Sequence, residues 1–127
     1  MRLTLAAEHR ILLTGDGADF TIDGGDEPLS PFHLLAASLA ACTFLVLQSW
    51  AHHAKLRIDD LQLGVDWDFD DEAARVSAMR MEVIWPSLPG ERRATALRAA
   101  KTCTVHNSLE QGFPITTGVA GQGADGR

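Results

Sequence analysis

Residues 30–54 read SPFHLLAASLAACTFLVLQSWAHHA, and this stretch decides the fold. Ser30 can cap the free amides of a helix N-terminus, and Pro31 fits the first helical position because no N–H bond is needed there. The stretch is apolar on nearly every side, and its many alanines let another helix approach closely. The sequence therefore predicts a long helix from Pro31 to about Ala54, buried in a globular core.

Such a helix also raises the question of a membrane span, since residues 34–51 carry no charge. Polar side chains interrupt it at Ser38, Thr43, Gln48 and Ser49, and the flanking segments alternate like a soluble sheet. The chain opens without the charged and apolar regions of a signal peptide. We therefore expect a cytoplasmic protein with no membrane partner.

Short strands are predicted on both sides of this helix. Before it, alternating runs separated by glycine-rich turns at residues 15–17 and 23–25 predict a meander of two or three strands. After it, apolar and polar residues alternate over residues 61–69 and again over residues 79–85. The link at residues 71–74 is short, so these two runs are expected to form an antiparallel hairpin.

The remaining elements complete an α+β pattern. A second helix is predicted over residues 91–102, with Ala94, Leu97 and Ala100 facing inward, and Cys103 follows its end. Residues 114–119 predict a last strand. The sequence thus indicates a single domain over residues 1–119 and a flexible, glycine-rich tail over residues 120–127.

Composition restricts the function. The chain has 127 residues and a formal net charge of −6, which argues against a nucleic-acid partner because such a partner requires a basic face. It lacks a nucleotide-binding glycine pattern, so we expect no bound NAD, flavin or other cofactor. The two cysteines, in a reducing compartment, are either plain buried residues or a working redox pair.

The cysteines lie 61 positions apart, in segments with distinct signatures. The first segment is SPFHLLAASLAACT at residues 30–43, which ends just after Cys42, and the second is CTVHNSL at residues 103–109. Together they resemble the OsmC/Ohr family, the osmotically inducible and organic hydroperoxide resistance proteins, and the order of elements matches as well. The resemblance implies an intertwined homodimer in which antiparallel sheets wrap two central helices, with active sites at the subunit interface.

The resemblance also implies a thiol-dependent peroxidase of the oxidative stress response. Cys42 would attack an organic hydroperoxide, Cys103 would resolve the product as a disulfide, and an external dithiol would reopen it. Such chemistry needs a thiolate, whereas a free cysteine with a pKa of about 8.5 is mostly protonated at neutral pH. Positive charge beside the first sulfur is therefore expected.

One feature departs from the family pattern. Family peroxidases use an Arg held by a Glu nine or ten positions before the first cysteine, and these positions hold His33 and Phe32. Arg10 is the best-placed candidate for the Arg. A residue nine positions back lies about 13.5 Å along a helix, so His33 could serve Cys42 only across a dimer. It could equally occupy the position where a capping box places Glu.

The sequence also allows other functions. A divergent family member could bind a small apolar or thiol-reactive ligand at the dimer interface without peroxidase activity, and a purely structural protein would need neither thiol. Cys42, Cys103, His33 and His106 could form a Cys₂His₂ metal set, although no Cys-x-x-Cys pair supports it, and we expect no metal. Asp66, Asp68 and Asp70 are better explained by a solvated strand face than by a cation site.

Overall fold

The computed structural model describes residues 2–7, 10–14, 19–23 and 30–121. Its elements are, in order, β1 (Arg2–Ala7), β2 (Arg10–Thr14), β3 (Asp19–Asp23), α1 (Pro31–Ala54), β4 (Gln62–Asp70), β5 (Arg75–Ile84), a 3₁₀ turn (Gly90–Arg92), α2 (Arg93–Ala100) and α3 (Thr104–Gln111). The fold is α+β, as the sequence predicts. The predicted turns at residues 15–17 and 24–25, and residues 122–127 of the predicted tail, lie outside the described residues.

Contacts divide the chain into two compact units. The first unit comprises residues 1–40 and 64–82, and the second comprises residues 41–63 and 83–127. The first unit contains the predicted meander, an antiparallel sheet in the order β1-β2-β3. Leu5 pairs with Ile11, which pairs with Ile22, and a bulge interrupts the register between Leu5 and Ala7.

The predicted hairpin forms from β4 and β5. Residues 71–74 connect the strands, and the Asp70 carboxylate accepts the backbone N–H groups of Glu72 and Ala73 at 3.0 and 3.1 Å. Arg80 on β5 donates two hydrogen bonds to Asp68, at 2.8 and 3.0 Å, and also pairs with Asp66. These side chains are well exposed, which supports the prediction of a solvated strand face.

Helix α1 begins and ends as predicted. At its C-terminus Lys55 adopts a left-handed conformation with φ 57°. The N–H of Lys55 bonds the carbonyl of His52, and the N–H of Leu56 bonds the carbonyl of Ala51. This pair of bonds is the Schellman arrangement, which satisfies carbonyls that the helix leaves free.

Helix α1 is long and apolar enough, by length and composition, to span a membrane, a test that the core helix of a soluble protein also passes. Within the second unit it contributes Leu47 and Ala51 to the hydrophobic core. There they join Ala96 and Ala100 of α2, whose small side chains let a helix come close, together with Leu61 and Trp85. The indole N–H of Trp85 donates to the carbonyl of Arg57 at 2.8 Å, so this large core residue keeps its polar atom paired.

Three expectations for the second half were wrong. Ala100 is buried as expected, but Ala94 and Leu97 are exposed and Ala96 is buried instead, because positions four apart share the inward face of α2. No helix was expected over residues 104–111, which form α3. Residues 114–119 form no strand within the described part of the chain, since a strand requires a neighbour for its backbone hydrogen bonds.

Candidate active site

The structure brings Cys42 and Cys103 together. Cys42 lies in the second half of α1, and Cys103 is the residue that caps the N-terminus of α3. The thiol of Cys103 lies near enough to the sulfur of Cys42 to lower the pKa of Cys42. Cys103 is fully buried, whereas Cys42 is partly exposed. A reagent from solvent therefore reaches Cys42 first.

The backbone around Cys103 explains its position. Tight turns end α2, with the N–H of Thr102 bonded to Ala99 and the N–H of Cys103 bonded to Ala100. Cys103 then leaves helical geometry, at φ −57° and ψ 127°, before α3 starts. Its sulfur accepts the backbone N–H of His106 at 3.4 Å, in the way that a Ser or Asp side chain caps a helix.

The sulfur of Cys42 faces the first turn of α3. It lies 3.7 Å from the hydroxyl oxygen of Thr104. The backbone N–H groups of Val105 and Thr104 also lie on this side of Cys42 and act on its pKa. These contacts lower the pKa of Cys42 below its ordinary value. The largest contribution comes from the Cys103 thiol, followed by the Val105 amide, and partial burial opposes the shift. The arrangement favours a thiolate at Cys42.

A further polar pair lies on α3 and was not predicted. The His106 ring nitrogen Nε2 and the Glu110 carboxylate are 2.7 Å apart, one helical turn from each other. The His106 side chain is about one-third exposed, at 31%. The i, i+4 spacing of His and Glu was the available signal, but it has meaning only once residues 104–111 are known to be helical.

His33 lies at the start of α1, where it completes a capping box with Ser30. The Ser30 hydroxyl accepts the His33 N–H at 3.3 Å, and His33 Nδ1 accepts the Ser30 N–H at 3.2 Å. The ring also packs edge-on against Trp67, with centroids 5.0 Å apart. His33 thus takes the place of the capping Glu. Its predicted role toward Cys42 of a second copy stays a prediction.

The other predicted site residue, Arg10, is the first residue of β2. Its backbone lies opposite Ala7 on β1 and Asp23 on β3. Its predicted role as the cation beside Cys42 stays a prediction. In the described ranges, no group of three or more His, Cys, Asp or Glu side chains could hold a metal, so the Cys₂His₂ alternative finds no support there.

Comparison with known proteins places these features in context. The family model described as OsmC-like protein matches residues 24–118. None of the curated proteins matches the chain. Three solved structures share the fold at low sequence identity.

The first of these structures is from Psychrobacter arcticus 273-4 and is named for an osmotic stress induced and detoxification response. It is 22% identical to this chain, and the match covers 84% of this chain and 85% of the other, with a TM-score of 0.73. An OsmC like protein from Mycoplasma pneumoniae is 19% identical, with coverages of 86% and 84% and a TM-score of 0.69. An OsmC-like hydroperoxide resistance protein from Jannaschia sp. CCS1 is 20% identical, with coverages of 93% and 89% and a TM-score of 0.59.

Proposed function

The chain belongs to the OsmC-like protein family, and from this premise we propose that it is a thiol-dependent peroxidase that reduces organic hydroperoxides in a stress response. One observation carries the proposal: two cysteines 61 positions apart in sequence lie close together, and the Cys103 thiol helps to lower the pKa of the more exposed Cys42. The Jannaschia neighbour, named for hydroperoxide resistance, is consistent with this chemistry.

Cys42 carries out the first step. Its thiolate attacks the terminal oxygen of the hydroperoxide, so an S–O bond forms while the O–O bond breaks. The electron pair of the broken bond leaves with the alkoxide, which takes up a proton and departs as an alcohol. Cys42 is then a sulfenic acid, and the two electrons that it lost have reduced the peroxide.

Cys103 carries out the second step. Its sulfur attacks the sulfur of the Cys42 sulfenic acid, so an S–S bond forms and the S–O bond breaks. Hydroxide leaves and takes the Cys103 proton, which releases water. Because the two thiols already lie close together, little movement is needed. The burial of Cys103 keeps it from competing for peroxide.

An external dithiol completes the cycle. It becomes a disulfide, and its two electrons and two protons restore both cysteines as thiols. We further propose that the protein works as a homodimer in the cytoplasm, with no bound cofactor or metal. These assignments follow the family resemblance.

The first test compares peroxide turnover in wild type and Cys42→Ser. Purified protein is given cumene hydroperoxide and dithiothreitol, and peroxide consumption is followed over time. Wild type is expected to turn over many equivalents, and Cys42→Ser none. Cys103→Ser is the matched control: without dithiothreitol it is expected to consume one equivalent rapidly and to accumulate a Cys42 sulfenic acid that dimedone traps. Consumption by wild type no faster than by Cys42→Ser would refute the proposal.

A second candidate function is tested by the same experiment. It is supported by His33, which occupies the position of the family Glu and is hydrogen-bonded to Ser30. In this alternative the chain is a non-peroxidase that binds a small apolar or thiol-reactive ligand. It predicts alkylation of Cys42 without peroxide turnover, and it predicts a ligand retained through purification that native mass spectrometry detects.

A further inference from the structure

We propose that Thr104 is a catalytic residue of this site, whose hydroxyl donates a hydrogen bond to the Cys42 thiolate. The claim that Thr104 takes part in catalysis rests on the proposed function. The claim that Thr104 stabilises the Cys42 thiolate rests only on the contacts around Cys42.

The direction of the hydrogen bond follows from protonation. Thr104 Oγ1 lies 3.7 Å from Cys42 Sγ, within hydrogen-bonding distance for sulfur. In the neutral thiol either atom can donate. Once Cys42 loses its proton, the sulfur can only accept, so the Thr104 hydroxyl must be the donor. The contact is therefore stronger with the thiolate than with the thiol, and it favours ionisation.

The free amides of α3 add to this effect. The first turn of a helix has N–H groups without intrahelical partners. In α3 the His106 N–H bonds the Cys103 sulfur, and the N–H groups of Thr104 and Val105 help to lower the pKa of Cys42. The first turn of α3 therefore faces both cysteine sulfurs. The helix also presents the positive end of its dipole to Cys42.

Among the described residues, uncharged groups surround the sulfur of Cys42. The titratable group in contact with Cys42 among the described residues is the Cys103 thiol. His106, on the same helix, is paired with Glu110, and His33 is bonded to Ser30. The described groups around Cys42 are therefore neutral hydrogen-bond donors. Among them, the Thr104 hydroxyl can be removed by a substitution that keeps the shape of the side chain.

The test is the pH dependence of Cys42 alkylation in Thr104→Val, which keeps the shape of the side chain and removes its hydroxyl. Iodoacetamide reacts with the thiolate, and peptide mass spectrometry assigns the product to Cys42. A lower pKa means more thiolate at a given pH, so loss of the donor must move the midpoint to higher pH. We expect alkylation at pH 7 to slow by about 3- to 10-fold, the equivalent of one hydrogen bond.

Three further variants make the result specific. Thr104→Ser keeps the hydroxyl and is expected to retain the wild-type midpoint. Thr104→Ala removes the hydroxyl by a second route, should the valine variant fold poorly. Thr102→Val is the matched control, because the Thr102 hydroxyl bonds the Ala99 carbonyl at 2.7 Å and is expected to leave the midpoint unchanged.

Peroxide turnover separates this inference from the proposed function. If the protein is a peroxidase, Thr104→Val should lower kcat/KM for cumene hydroperoxide at pH 7 by about the same factor as it slows alkylation. The loss should largely vanish above the alkylation midpoint of the variant, because Cys42 is then ionised in both wild type and Thr104→Val. A loss of equal size at every pH, or an unchanged alkylation midpoint, would overturn the role of Thr104. If wild type showed no turnover, the proposed function would fail, while the alkylation midpoints would still decide the role of Thr104.

Discussion

Cys42 and Cys103 carry the same thiol, and their surroundings separate their tasks. Cys42 is partly exposed, its sulfur contacts the Thr104 hydroxyl, and the nearby Cys103 thiol and Val105 amide lower its pKa. Cys103 is fully buried, and its sulfur accepts the His106 amide. Access and ionisation thus favour Cys42 as the attacking sulfur, while proximity suits Cys103 to resolution.

Thr43, the neighbour of Cys42, has a fully buried hydroxyl that finds no hydrogen-bond partner among the described residues. An unpaired buried hydroxyl costs about 1–3 kcal/mol relative to an apolar group of the same shape. Thr43→Val keeps the shape and removes the hydroxyl. We expect it to raise the free energy of unfolding in urea by about 1 kcal/mol.

Thr95→Val is the matched control for Thr43→Val. Thr95 also lies in a helix, but its hydroxyl accepts a hydrogen bond from Arg98 at 3.1 Å. Its replacement is expected to bring no gain in stability. A loss of stability in Thr43→Val would instead show that the Thr43 hydroxyl makes a hydrogen bond in the folded protein.

At the scale of the element, α3 depends on its capping residue. Cys103 accepts the His106 N–H, and the helix beyond it has eight residues. A helix this short is marginal without a cap and without tertiary packing. The same sulfur therefore serves two purposes, since it holds the start of α3 and lies in contact with Cys42.

Two substitutions at Cys103 distinguish these purposes. Cys103→Ala removes the acceptor and is expected to lower the free energy of unfolding by about 1 kcal/mol more than Cys103→Ser, because Ser is a strong capping residue. Both variants lack the Cys103 thiol, so neither should form an intramolecular disulfide on peroxide treatment. Equal stability of the two variants, measured in urea, would show that the cap contributes little.

At the scale of the whole molecule, the segment after α3 leaves large apolar side chains in solvent. Phe113, Ile115 and Val119 are 57%, 81% and 76% exposed. Residues 114–119, predicted as a strand, form none within the described part of a single copy. The family resemblance implies a homodimer, and a second copy would offer both a sheet neighbour and cover for these side chains.

Sedimentation analysis tests the dimer directly. We expect wild type to sediment at about twice the 13.7 kDa chain mass at micromolar concentration. We expect Ile115→Asp to shift the equilibrium toward the monomer, because its charge would be buried at the interface. Thr116→Asp, at the adjacent exposed position, is the control and should perturb the dimer less. A wild-type protein that sediments as a monomer would contradict the prediction.

The sequence by itself determined the elements whose signals are local. Ser30 and Pro31 marked the start of α1, and the alternation over residues 61–69 and 79–85 marked the hairpin, because capping and strand periodicity depend on neighbours a few positions away. The paired cysteine segments also indicated the family.

Only the tertiary structure decided what surrounds each sulfur. Helix α3, the capping role of Cys103 and the contact of Thr104 with Cys42 depend on how the ends of α2 and α3 pack against α1. No local pattern in residues 103–111 encodes these contacts, because they join positions about 60 residues apart. Long-range packing decides which donors reach a buried or half-buried group, and it thereby determines the chemistry of Cys42.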